Sequence, residues 1–151
     1  MPKKKSRLSP HDRYARSSLL QPKVAREFFN EHLPVAIKKC VDLSSLAPQK
    51  ESYINDKLHA KVVDILFSVD FAGEDGYLYL LIEHASTPDP LLPLRMLQYV
   101  LAIMEEHCRR TGESKLPIVF PMIFYTGRKE YKHSTNIYDL FGKHKKLSRE
   151  K

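Results

Sequence analysis

The spacing of apolar positions changes several times along the chain. From Gln21 to Leu33 (QPKVAREFFNEHL), apolar residues at Val24, Ala25, Phe28, Phe29 and Leu33 follow the spacing of one helix face. Pro22 near the start and Pro34 just past the end mark its limits. From Lys61 to Val69 the pattern becomes a nearly unbroken apolar and β-branched run, KVVDILFSV, which predicts a central strand. The segment AGEDG, residues 72–76, carries two glycines and predicts a turn, so that Tyr77 to Ser86 returns as a hairpin partner. After the proline-marked loop STPDP, apolar residues recur at Leu94, Leu97, Leu101 and Met104. This predicts a helix of about five turns from Leu91 to Arg110, with Pro93 tolerated in its first turn. LPIVFPMIFYTG, Leu116 to Gly127, predicts another buried strand with an interruption at Pro121. The stretch VDLSSLAPQKESYINDKLH is ambiguous, and its part around Ser52 to Leu58 is read as a short, exposed first strand. The order of helix, strand, strand, helix and strand is that of a mixed α/β sandwich.

Length and composition fit one domain: 151 residues, of which 42% are hydrophobic, suffice for a core. A charged fraction of 28% argues against wholesale disorder. The net charge of +7 favours polyanions, and nucleic acid above all. Much of that surplus lies in MPKKKSR and KHKKLSREK. These are expected to be solvated basic tails, a flexible one at 1–10 and another at 143–151, around a domain at 11–142. Cys40 and Cys108 are isolated, with no CxxC pattern, which excludes a disulfide framework or zinc site and fits the cytoplasm. No apolar run approaches the ~20 residues of a membrane helix. MPKKKSR has no apolar stretch behind it and does not read as a secretory signal.

Two acids interrupt this picture. By alternation, Asp64 shares a strand face with Val62 and Leu66, and Glu83 shares one with Tyr79, Leu81 and Ala85, while His84 points the other way. An ionised carboxylate removed from water costs several kcal/mol unless something compensates it. Either each acid pairs with a base such as Arg95 or Lys61, or the two sit at a strand end and share a divalent cation. With no His or Cys at ligand spacing, such an ion would be hard and oxygen-loving, Mg2+ or Mn2+. The end of an apolar strand that leads through a loop into a helix is where α/β folds place their sites. His84 is otherwise expected to pack on the sheet, and Tyr99 and the aromatics of MIFY to lie in the core. Asp12 reads as a helix cap and Glu27 as part of a solvated helix face.

The same segments, in order, resemble the recombination-promoting nuclease family, whose members also carry a transposase label, within the PD-(D/E)XK nuclease superfamily. HDRYARSSLLQPKVAREFFNEHLP looks like the family's opening helix, and VVDILFSV like the strand with its first catalytic acid. YLYLLIEHAS looks like its Glu-x-Gln-Ser strand and LRMLQY like its arginine-containing helix, followed by LPIVFPMIFYTG and YDLF. The resemblance implies a restriction-endonuclease-like α-β-β-β-α-β core, a mixed central sheet flanked by helices. It implies a Mg2+- or Mn2+-dependent DNA endonuclease of low sequence specificity, acting in recombination or mobile elements. Asp64 and Glu83 would hold the metal, with main-chain oxygens at His84 or Ala85 as further ligands. Family members extend well beyond this length, so the chain is expected to be a catalytic-domain fragment or a short relative. A homodimer is the oligomer considered.

Position 85 departs from the pattern. The superfamily places Lys there and this family Gln; here it is Ala85. A methyl group cannot orient an attacking water, and losing one positioned catalytic group costs on the order of 10²–10⁴-fold in rate. Three accounts stand side by side: a slow or dead relative, an engineered position, or substitution by Arg95 and Gln98, one turn apart on the next helix. Arg95 reads equally as a phosphate clamp or as a helix-capping or carboxylate-pairing arginine. The alternative to an enzyme is a catalytically inactive module that keeps the nuclease fold for DNA binding or protein interaction.

Overall fold

In a computed structural model of the protein, residues 10–49, 62–83, 89–125, 135–144 and 146 are described. Three helices open the chain: α1 (Pro10–Leu20), α2 (Pro22–His32) and the short α3 (Val35–Lys38). Strands β1 (Val41–Pro48), β2 (Val62–Phe71) and β3 (Glu74–Glu83) follow, then α4 (Leu92–Thr111) and β4 (Ile118–Tyr125). A 3₁₀ segment, Ile137–His144, kinks at Gly142.

The sheet order is β1-β2-β3-β4. The first three strands are antiparallel neighbours, and β4 runs parallel to β3. A parallel neighbour needs a crossover, and α4 supplies it. On one face, Ile65, Phe67, Val69, Leu78, Leu80 and Ile82 pack under Ala25, Phe29 and Leu33 of the α2 region. On the other, Leu66, Tyr77, Tyr79 and Leu81 pack under Leu92, Met96, Tyr99 and Ile103 of α4. Burial on both faces explains why β2 and β3 read as continuous apolar runs rather than clean alternation. The architecture is therefore a mixed α/β sandwich with a four-stranded mixed sheet flanked by helices.

Four details differ from expectation. The hairpin closes on two residues, not five: Phe71 pairs with Glu74 across Ala72 and Gly73, whose φ values are 54° and 84°. Positive φ at both central positions is the geometry of the type I′ turn, whose twist matches that of paired strands. Second, the strand lies in the first part of the ambiguous stretch: Val41–Pro48 pairs with β2, while Ser52 to Leu58 lies outside the described residues. Its register shifts between Asp42 and Ala47, which hides it from an alternation test. Third, β4 runs unbroken through Pro121. As an edge strand among the described residues, it can turn the proline nitrogen away from the ladder.

Finally, α4 buries a different face from the one its leucines mark. Leu92, Met96, Tyr99, Val100, Ile103 and His107 are buried, whereas Leu94, Leu97 and Leu101 are exposed. The helix carries two apolar stripes, and the sheet takes the one rich in aromatic and β-branched residues. Gly112, at φ 72°, ends it, with its N–H donating to the Cys108 carbonyl.

Candidate active site

Asp64 lies near the start of β2, on the α4 face of the sheet. The ladder pairs Asp64 with Leu81, Leu66 with Tyr79, and Val62 with Glu83. Opposed residues share a face, so position 83 is on the same face as Asp64 and diagonal to it, a separation of about 7–8 Å between backbones. Glu83 is the last residue of β3 and pairs with Tyr125, the last residue of β4. Position 83 therefore marks the carboxyl ends of two parallel strands, with the first residue of α4 nine positions further along the chain.

Asp64 is held by donors at both its side chain and its main chain. The Tyr79 hydroxyl donates to its Oδ2 over 3.1 Å. Arg16 of α1 reaches across 48 positions of sequence to donate from Nη1 to the Asp64 main-chain carbonyl. Tyr79 has 0% exposure and its ring meets Tyr99 at 6.2 Å in a T-shaped contact. Burial pushes the Tyr79 phenol far above its ordinary range, and the neighbouring Asp64 charge and hydrogen bond push it further. The phenol therefore stays protonated and keeps its hydrogen for Asp64.

Arg95 sits in the first turn of α4, with Nε 2.6 Å from Asp89 Oδ2. Asp89 Oδ1 accepts the Leu91 N–H at the same helix entrance. Of the readings of Arg95, carboxylate pairing is the contact present, so a phosphate would have to compete with Asp89. Gln98 lies one turn later and is exposed. His84 and Ala85 lie outside the described residues, and Glu83 is placed by its register. Glu27 is exposed on α2, and Tyr99 is buried as expected.

A second polar cluster occupies the far end of the same face. Arg110 donates to the Tyr77 hydroxyl over 2.8 Å, and that oxygen lies 2.7 Å from His107 Nδ1, both rings being buried. Cys40 and Cys108 are free thiols. Among the described residues no helix is long and apolar enough to cross a membrane.

Tyr79 and Arg16 are absent from the candidates that pattern suggests. Alternation puts Tyr79 on the face of Glu83, but pairing it with Asp64 requires the hairpin register, and the register depends on the turn. A five-residue turn would have set position 84 opposite Asp64. For Arg16 no local signal exists, because its contact is made by packing α1 across β2.

Residues 9–150 match the family model described as "Putative transposase, YhgA-like". The chain belongs to this family. Relatives of this chain include the recombination-promoting nuclease RpnD of Escherichia coli O157:H7, 40% identical over 119 residues. That match covers 79% of this chain and 46% of RpnD. The recombination-promoting nuclease RpnA of E. coli K12 is 40% identical over 124 residues, 82% of this chain and 42% of RpnA. RpnE of the same strain, named an inactive recombination-promoting nuclease-like protein, is 35% identical over 134 residues, 88% of this chain and 44% of RpnE. The chain spans less than half the length of each of these relatives. No solved structure matches it.

Proposed function

We propose that this chain is a metal-dependent DNA-cleaving domain with a PD-(D/E)XK-type core, in which Asp64 and Glu83 hold a divalent cation. The observation that carries this reading is the register that sets position 83 diagonal to Asp64 on one sheet face, at the end of β3. The family, whose named members include recombination-promoting nucleases, supports it. The element order supports it as well, since helix, three strands, helix and strand is the order expected of that core.

Among the described residues, no three His, Cys, Asp or Glu side chains gather as a metal-holding group. A cation would rest on Asp64 and Glu83, with main-chain oxygens at His84 or Ala85 as the further ligands that the family resemblance implies. An all-oxygen set of this kind fits Mg2+ or Mn2+ rather than a softer metal. When bound, such an ion acidifies a coordinated water and offsets charge developing on the phosphate. The chain itself orients Asp64 through Tyr79, fixes the strand at Asp64 through Arg16, and presents a +7 surplus to the DNA backbone. Backbone neutralisation carries no sequence information, which accords with low sequence preference. Arg95, released from Asp89, could steady a phosphate, with Gln98 beside it.

Ala85 favours a second reading, an inactive nuclease-fold module that binds DNA or protein, and the relationship to RpnE is in keeping with it. Plasmid nicking in Mg2+ separates the two. Ala85→Gln introduces an amide that can donate to and accept from a bound water. It should raise nicking by at least about 10²-fold, and adding Asp64→Asn should abolish the gain. Nicking that survives Asp64→Asn would sink the metal reading. A metal-bound Ala85→Gln chain that cuts nothing would establish the inactive module.

A further inference from the structure

We propose that Tyr79 is a positioning residue: its phenol holds one oxygen of Asp64 so that the carboxylate meets a divalent cation in a single orientation. This rests on the metal reading above and extends it to a residue that touches neither the ion nor the substrate.

The Tyr79 ring is fully buried, clamped on the α4 face within the cluster that holds Leu66, Leu81, Met96 and Tyr99. A ring held by packing has a fixed hydroxyl position, and that hydroxyl lies 3.1 Å from Asp64 Oδ2. A flexible carboxylate on a strand samples several rotamers, and a buried donor aimed at one oxygen selects among them. The main chain at Asp64 is pinned separately by Arg16 from α1, so its backbone and its side chain are held from different elements. Carboxylates that ligate metals characteristically take such outer hydrogen bonds, and losing one costs about 10–100-fold in metal affinity.

A structural role alone would predict something else: removing the hydroxyl would lower stability and leave ion affinity unchanged. Tyr77 provides the matched control. It is a buried tyrosine on the same face of the same strand, two residues earlier, but its hydroxyl serves His107 and Arg110.

The test is calorimetric titration of the full chain with Mn2+, comparing wild type, Tyr79→Phe, Tyr77→Phe and Asp64→Asn. Both phenylalanine variants keep the ring that packs the core, and a thermal melt of each confirms folding. Tyr79→Phe should weaken Mn2+ binding by about tenfold or more without changing stoichiometry, while Tyr77→Phe leaves the affinity within twofold of wild type. An unchanged affinity in Tyr79→Phe, or equal losses in the two tyrosine variants, would overturn the positioning role while leaving the metal reading intact. Wild type and Asp64→Asn binding Mn2+ alike, or neither binding it, would overturn the metal reading and this proposal with it.

Discussion

Tyr77 and His107 tie β3 to the last turns of α4, with Tyr77 Oη 2.7 Å from His107 Nδ1 and both side chains buried. Arg110 donates to the same phenol oxygen. One phenol oxygen therefore joins a strand residue to two residues of the helix. Tyr77→Phe would leave buried His107 Nδ1 without this partner and should cost about 1–3 kcal/mol. Urea unfolding measures that cost.

The hairpin turn carries a residue that its backbone disfavours. Ala72 has a φ of 54°, a region in which alanine is strained and asparagine is at home. Its N–H donates to the Cys40 carbonyl over 2.7 Å, a bond that any non-proline residue keeps. Ala72→Asn should therefore stabilise the protein by about 0.5–1 kcal/mol, seen as a higher urea midpoint with an unchanged slope.

The two apolar stripes of α4 should differ sharply in what they contribute. Ile103 is 0% exposed and packs on the sheet, whereas Leu101 is 50% exposed on the outer stripe. Ile103→Ala should cost about 2–5 kcal/mol, and Leu101→Gln no more than about 0.5 kcal/mol. Equal costs in chemical denaturation would mean that the helix packs by its other face.

These contrasts show what pattern could and could not reveal. Periodicity located α2, β2, α4 and β4, because each is long and strongly apolar. It could not choose between the stripes of α4, since Leu94, Leu97 and Leu101 and the buried set share helical spacing, and only the sheet decides between them. It missed β1, whose register shift breaks alternation. At the site, the strand face of Asp64 follows from simple counting. Its donors do not: Tyr79 depends on a turn two residues long, and Arg16 on tertiary packing.

Alkaline pH should expose the buried phenol. Tyr79 holds its proton far above its ordinary value of 10.0, raised first by burial and then by Asp64. Below pH ~10 both folded and unfolded chains are protonated here and the contribution to stability is fully present. Above it the unfolded chain releases the proton first, so stability falls by up to about 1.4 kcal/mol per pH unit from this group. Urea midpoints between pH 9 and 11 should fall more steeply for wild type than for Tyr79→Phe, and parallel curves would refute the assignment.

The central claim is that Asp64 and Glu83 share one divalent cation at the end of β3. A crystal of the chain soaked in Mn2+ tests it directly, through the anomalous signal of the ion. The account predicts one strong peak per chain within bonding distance of a carboxylate oxygen from each residue. A peak elsewhere, or none while each acid sits in its own separate salt bridge, would contradict it.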